Sequence, residues 1–453
     1  MAIDLALKKL PATSGEPIGS LFLNPGGPGG SGVDQITYDS DGFSSDLKAK
    51  FDIVGFDPRG IGLSTPLSCL SLEEAEKITS SQGDADSTQR NEDDDIEGLS
   101  AQDFLNTGAE LAKACAMNST VPELLDHMDT ASVARDLDVL RGLAGDPKPY
   151  YLGTSYGTYL GARYAEIFPE NVGRMVLDSA QDPSIQLATL RIDQAKSLER
   201  ALGDYIKACQ AGSDCALTGD VEAGKAQLRE FVEKANATPI PSSDPNTSLD
   251  GDTLISNLGK LLYDDRTWPD LDKALAKVIQ NNDATDYLAL STPNPPEEDP
   301  EAAAEAQVQE VQNDFGGKAV DCLDYPVQGD QAAWDAEAAK IIEIAPTMGE
   351  GLAYADAFCK GWGHHTDHQP TEVKASGAAP ILVVGITGDP ATPYEWSQAL
   401  ASQLDSGRLI TVEGNGHGAY MRLGDCVNQK VDAYLLRGEV PAEDLTCQAE
   451  LQQ

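Results

Sequence analysis

The chain has 453 residues, more than a single ordinary core organises, so two domains or one domain with a large insertion are expected. Hydrophobic residues make up 41% of it, which excludes wholesale disorder, while 74 acidic against 32 basic side chains leave a net charge of −42. Such a surface repels phosphate backbones and anionic membranes, which excludes nucleic acid as a partner, and no apolar run approaches the ~20 residues of a membrane span.

Residues Met1 to Lys9 carry no basic head followed by an apolar block, so they do not read as an export signal. The alternation from Ile3 to Leu7 predicts a strand. Ile18 to Leu23 predicts a second, running into the loop Asn24-Pro25-Gly26-Gly27-Pro28-Gly29-Gly30-Ser31-Gly32. A phosphate loop would end in Gly-Lys-Ser/Thr, which is missing here. Glycines this dense directly behind a buried strand free backbone amides to point inward, the requirement of an oxyanion hole. Phe51 to Phe56 is the next strand, opening into Asp57-Pro58-Arg59-Gly60. Asp57 and Arg59 are expected to pair with each other as a structural turn rather than to act in catalysis. The acidic stretch 82–98 reads as a solvated loop, because it lacks the spacing of a calcium loop.

Residues Ala131 to Ala144 have helical periodicity, and the strand that follows leads into Gly153-Thr154-Ser155-Tyr156-Gly157. A G-x-S-x-G sequence between a strand and a helix is a nucleophile elbow, which exposes its serine on a sharp turn where flanking side chains would clash with crossing backbone. Ser155 is the candidate nucleophile. The N–H groups of Gly27 and Tyr156 are the candidate oxyanion donors. Thr158 to Phe168 predicts a helix and Val172 to Asp178 a strand, the alternation expected of an open parallel sheet.

From Leu187 to about Tyr354 the strand rhythm stops. Amphipathic helices are predicted at 187–209, 221–235, 253–262, 271–280, 300–314 and 332–344, with Pro/Ser-rich breaks at 239–245 and 292–300. A helical block between two halves of a sheet reads as an inserted cap. The expected division is therefore core 1–184, cap 185–369 and core 370–453. The sheet resumes with Pro380 to Ile386, ending at Asp389, and Arg408 to Val412, ending near His417. Open α/β sheets put their sites just past the carboxyl ends of such strands. The order Ser155, Asp389, His417 is that of a hydrolase-fold triad. The cluster Gly363 to His368 lacks a helical frame for metal ligands and reads as a surface loop, so no metal is expected.

The eight cysteines are even in number and lack C-x-x-C spacing, which favours disulfides over a zinc or dithiol site. Cys209 and Cys215 flank a short turn and are able to close locally, and Cys426 and Cys447 bracket the last helix and the loop after it. Cys69 with Cys115 and Cys322 with Cys359 remain by order along the chain, although sequence alone permits many connectivities, and eight reduced thiols are the alternative. Disulfides and an export signal go together, so the protein is expected to be secreted or at the cell surface, with the signal peptide absent from this sequence.

These motifs resemble the α/β-hydrolase fold, and more narrowly the secreted tripeptidyl aminopeptidases and proline iminopeptidase relatives of actinobacteria. The resemblance rests on the Asn24 to Gly29 loop, Asp57-Pro58-Arg59-Gly60-Ile61-Gly62, the elbow, Asp389-Pro390-Ala391-Thr392-Pro393 and Gly416-His417-Gly418. Asparagine stands before the glycine loop where many iminopeptidases carry histidine, which favours the tripeptidyl branch. Strands upstream of the first one found here are expected in that family and are missing.

The resemblance implies a mostly parallel sheet with helices on both faces, a large helical cap, a peptide substrate and no cofactor. Val320-Asp321-Cys322-Leu323-Asp324 resembles a family motif and offers Asp324 as an anchor for the substrate's amine. A carboxylesterase on the same triad is the first rival function, and a catalytically silent binding protein on a hydrolase scaffold is the second. Oligomeric state is not legible in the composition.

Overall fold

The computed structural model describes residues 2–71, 73–75, 100–245, 247–291 and 300–450. The acidic stretch 82–98 and most of the break at 292–300 lie outside these residues. The centre of the fold is an eight-stranded sheet built from β1 (Leu7–Leu10), β2 (Gly19–Asn24), β3 (Phe51–Phe56), β4 (Tyr150–Thr154), β5 (Met175–Asp178) and three later strands. A small antiparallel pair, β6 (Ile240–Pro241) and β7 (Ser248–Leu249), stands apart from it. The later strands are β8 (Ile381–Gly388), β9 (Gly407–Asn415) and β10 (Leu445–Gln448), and the order across the sheet is β1-β3-β2-β4-β5-β8-β9-β10. Every neighbouring pair is parallel except β1 with β3.

Strand periodicity explains how both faces are buried. Phe22, Val54, Phe56 and Tyr151 point into one core, whereas Leu21, Leu23, Ile53 and Leu152 point into the other. The first core is closed by α4 (Thr130–Ala144) and α5 (Tyr156–Ile167), through Leu137, Leu140, Leu160 and Tyr164. The second is closed by α1 (Gly32–Asp39) and α2 (Ser45–Lys50), through Ile36 and Leu47. Local signals set the ends of α4: the Asp129 carboxylate accepts from Ser132 N, and Gly145 stops the helix with φ of 81°. A further helix, α3 (Ala101–Asn118), precedes α4.

Between β5 and β8 the chain forms α6 (Leu187–Ala211), α7 (Val221–Ala237), α8 (Gly251–Leu261), α9 (Trp268–Ala276), α10 (Thr285–Ser291), α11 (Pro300–Asp324), α12 (Gln331–Ile344) and α13 (Ala355–Trp362). Helices α6 to α10 bury a cluster of their own around Tyr205, Leu228, Leu254, Leu271 and Tyr287. The C-terminal half of α11 packs instead against the sheet side: Ala319, Val320 and Leu323 share a cluster with Ile61, Tyr156 and Tyr159. Two helices complete the core, α14 (Tyr394–Gln403) and α15 (Asp425–Arg437). No helix among the described residues is long and apolar enough to cross a membrane.

The four disulfides join Cys69 to Cys115, Cys209 to Cys215, Cys322 to Cys359 and Cys426 to Cys447, the pairs expected by order along the chain. No cysteine is free.

Four expectations need correction. Residues 3–6 are not a strand; their backbone groups bond to the turn after β3, with Asp4 N on Thr65 Oγ1 and Ala6 N on Ser64 Oγ, and regular pairing starts only at Leu7. Asp57 and Arg59 do not pair with each other. The fully buried Asp57 accepts from Ser31 Oγ and Val33 N at the start of α1 and from Leu63 N, where amide donors suit a carboxylate, while Arg59 grips Asp136 of α4 with two nitrogens at 2.7 and 2.6 Å. The loop after the last helix spans only 438–444 and gives way to strand β10, which the sequence reading did not foresee, paired with β9 and held by Cys426–Cys447. The helix expected at 300–314 runs on to Asp324, because its lower half has a core to pack against.

Candidate active site

Ser155 stands between β4 and α5 with φ 58° and ψ −127°, a conformation that non-glycine residues avoid unless their surroundings hold it. Those surroundings are backbone. Ser155 N donates to Asp178 O at 3.0 Å, and a Cβ on Gly153 would sit 2.3 Å from Gly157 O. Gly26 lies against the turn so closely that its own Cβ would meet Ser155 Cβ at 2.8 Å. The elbow and the glycine loop are thus in direct contact. Gly27 is exposed beside it, and its N–H donates to no acceptor among the described residues. Tyr156 occupies the first position of α5, where an amide has no intrahelical partner.

His417 follows β9 and Asp389 follows β8. The ring Nδ1 lies 2.9 and 3.0 Å from the two carboxylate oxygens of Asp389. Asp389 is fully buried, and burial alone would raise its carboxyl. The charge and hydrogen bond of His417, with the amides of Thr392 and Ala391, outweigh that and hold it below the usual carboxylate range. Thr392 Oγ1 adds a bond to the same carboxylate at 3.0 Å. The imidazole side chain is 10% exposed, so part of the ring remains open to solvent. Its neighbour Gly418 brings the histidine loop to the elbow: a Cβ there would touch the Thr154 methyl at 3.4 Å. The structure therefore gathers Ser155, Asp389, His417, Gly27 and Tyr156 into one region. The Ser155 hydroxyl makes no hydrogen bond among the described residues.

Several residues that sequence reasoning passed over hold this arrangement. Asp178, buried at the end of β5, accepts from Ala419 N and Tyr420 N and so fixes the loop after His417. A carboxylate at the carboxyl end of a sheet strand was a legible signal for it. Arg200 of α6 donates to Asp389 O at 2.8 Å, and the Tyr263 carbonyl accepts from His417 N at 2.9 Å. Nothing local in the sequence marks either contact.

Asp324 closes α11 beneath Tyr156. Its Oδ1 accepts from Thr130 N at 2.8 Å and its Oδ2 from Thr130 Oγ1 at 2.5 Å, and the same Thr130 hydroxyl bonds the Tyr156 phenol. Burial pushes the Asp324 carboxyl up to about 7, against the lowering effect of the Thr130 donors. One turn earlier, Asp321 is bridged to Arg191 at 2.6 Å. In the histidine-rich loop, His364 pairs with Asp126 at 2.6 Å and His368 approaches Arg163 at 3.4 Å, so the two point to different partners.

Comparison with known proteins agrees with this geometry. Residues 345–447, which include Asp389 and His417, match the family described as TAP-like protein. The chain is 34% identical to a tripeptidyl aminopeptidase of Streptomyces lividans over 96% of this chain and 78% of that protein. It is 32% identical to the serine protease Hip1 of Mycobacterium tuberculosis, over 98% of this chain and 83% of that protein. A carboxylesterase B of the same organism is 33% identical, over 98% and 82%. The parallel sheet, the elbow and these relatives together make the chain a member of the TAP-like family of α/β-hydrolases.

Proposed function

We propose that the protein is a serine exopeptidase that releases short peptides from free amino termini through an acyl-enzyme. Ser155 Oγ attacks the scissile carbonyl while His417 Nε2 takes its proton. Asp389 holds the ring with Nδ1 protonated and stabilises the imidazolium. The amides of Gly27 and Tyr156 receive the oxyanion, His417 returns the proton to the leaving amine, and a water activated by the same ring completes hydrolysis. The bond from Ser155 to His417 forms as substrate docks, since catalytic contacts tighten in the Michaelis complex. The observation that carries this reading is the buried Asp389 on His417 Nδ1, with Gly418 packed on the residue before Ser155.

The peptide reading adds the helical block 185–369 as a cap that closes one end of the cleft, with Asp324 as anchor for the ammonium group. Asp324 is half-buried, and an arriving cation would favour its ionised form. A second reading, a general acyl hydrolase, draws support from the two Thr130 donors that already occupy both Asp324 oxygens. Four disulfides support an extracellular setting.

A panel of chromogenic amides and esters, each with a free or acetylated amine, tests the reading. Free tripeptidyl amides should be preferred over acetylated ones by about ten- to a hundredfold, the worth of one charge-assisted hydrogen bond. Ser155→Ala and His417→Ala should each abolish turnover by several orders of magnitude without unfolding the protein. Equal rates on free and blocked amines would leave the acyl hydrolase. Near-normal activity of either variant would remove the triad.

A further inference from the structure

The contacts around His417 extend beyond the sheet. The turn that joins α8 to α9 reaches over the histidine loop and meets it four times. The Tyr263 carbonyl accepts from His417 N at 2.9 Å and from Arg422 Nη1 at 2.8 Å. Asp264, next in the chain, lies 3.4 Å from the same Arg422, which also donates to Gly418 O at 2.8 Å. The Tyr263 ring stands edge-to-face with the imidazole at a centroid distance of 5.0 Å.

From these contacts we infer that Tyr263 is a positioning residue for the general base: its ring, carried by the cap, fixes the plane of the His417 imidazole while its carbonyl fixes the backbone beneath it. The inference rests on the triad reading above.

The physical argument begins with what Asp389 leaves undetermined. Two carboxylate oxygens on Nδ1 hold one edge of the imidazole, but they leave the ring free to rock about that hold, and Nε2 on the far edge moves most. A flat wall on one side stops the swing. Displacement of a reacting nitrogen by about 1 Å is enough to lower a rate a hundredfold. Tyr263 supplies such a wall, since edge-to-face packing has a preferred geometry that an aliphatic side chain lacks.

Two further observations separate this role from that of an ordinary cap contact. The Tyr263 hydroxyl has no hydrogen-bond partner among the described residues, so it is not what holds the side chain. The residue is 38% exposed, so it is not a member of a packed interior. The cap is thereby part of the catalytic apparatus as well as a limit on substrate length.

The test uses the full-length protein and a chromogenic tripeptidyl amide. Tyr263→Ala deletes the ring and keeps the carbonyl bond to His417 N. It should lower kcat by about ten- to a hundredfold, in line with a small misplacement of a catalytic group, with KM changed by less than about threefold. Tyr263→Phe should recover most of the lost kcat, because the hydroxyl has no partner, whereas Tyr263→Leu, with bulk but no flat face, should resemble Ala. Thermal melting of each variant reports folding, and if Ala unfolds the Leu and Phe pair decides. Unchanged kcat in Ala or Leu, a change confined to KM, or an equal loss in Phe would overturn the inference. His417→Ala is measured alongside: if it stays active, the triad reading itself fails. If it is inactive while Tyr263→Ala is normal, only the role of Tyr263 falls.

Discussion

Both carboxylate oxygens of Asp324 are held by one residue, Thr130, whose hydroxyl also meets the phenol of Tyr156. A side chain expected to hold a substrate amine is thus also a brace behind an oxyanion donor. Its carboxyl is raised from 3.8 to about 7, chiefly by burial, so the folded protein keeps a proton there that the unfolded chain releases. The contribution of this group to stability is fully present below about pH 4 and is lost as pH rises through about 7. Asp324→Asn removes the titration. In urea denaturation, the stability of Asp324→Asn relative to wild type should climb between about pH 4 and 7 and level off above. A difference that stays constant across that window would show that the carboxyl titrates normally. At the same scale, Asp57 and Arg59 show how adjacency misleads: two residues apart and opposite in charge, they serve α1 and α4 separately.

Helix α11 is the element that ties the helical block between β5 and β8 to the candidate site. Its backbone lies directly on the glycine loop: a Cβ on Gly317 would meet Pro28 O at 2.3 Å, and one on Gly29 would meet Asn313 O at 2.4 Å. Asn313 also accepts from Gly62 N through its side chain at 2.9 Å, and Gln312 accepts from Cys69 N at 2.8 Å. Gly317→Ala should therefore push the loop that carries Gly27. The expected result is a loss of kcat/KM of about tenfold or more, because an oxyanion donor acts only from its proper position. Overpacking there should also cost about 1–3 kcal/mol of stability. The control is Gly142→Ala on the exposed face of α4, where a Cβ meets nothing within 4 Å. That change should leave kinetics alone and stabilise slightly, as alanine does over glycine in a helix. Normal kcat/KM in Gly317→Ala would mean that the loop does not depend on α11. The lower half of α11 belongs to the same apolar cluster as Tyr156 and Tyr159.

The whole molecule carries a net charge of −42, and its ion pairs use only a fraction of its carboxylates. Self-repulsion of that size opposes compaction and is screened by salt, whose Debye length shortens from about 30 Å at 0.01 M to about 8 Å at 0.15 M. Melting temperature should rise by about a few degrees over that range of sodium chloride, an increment typical of 1 kcal/mol or so in a chain of this size. A melting temperature that falls with salt would show that attractive pairs such as Arg59 with Asp136 outweigh the repulsion.

The sequence by itself determined what depends on local order. Apolar runs marked the central strands of the sheet, the G-x-S-x-G turn needed only its two glycines, and the helices between residues 187 and 344 announced themselves by amphipathic spacing. The candidate triad was legible because its members follow strand ends, and strand ends in a parallel sheet converge. Tertiary structure alone decided what depends on distant backbone. Residues 3–6 bond to a turn instead of a strand because Ser64 and Thr65 offer them partners. β10 exists because β9 has a free edge and Cys426 holds Cys447 beside it. Tyr263 and Arg200 meet the triad through main-chain carbonyls and a long cation, groups whose choice of partner leaves no periodicity and no motif in the chain.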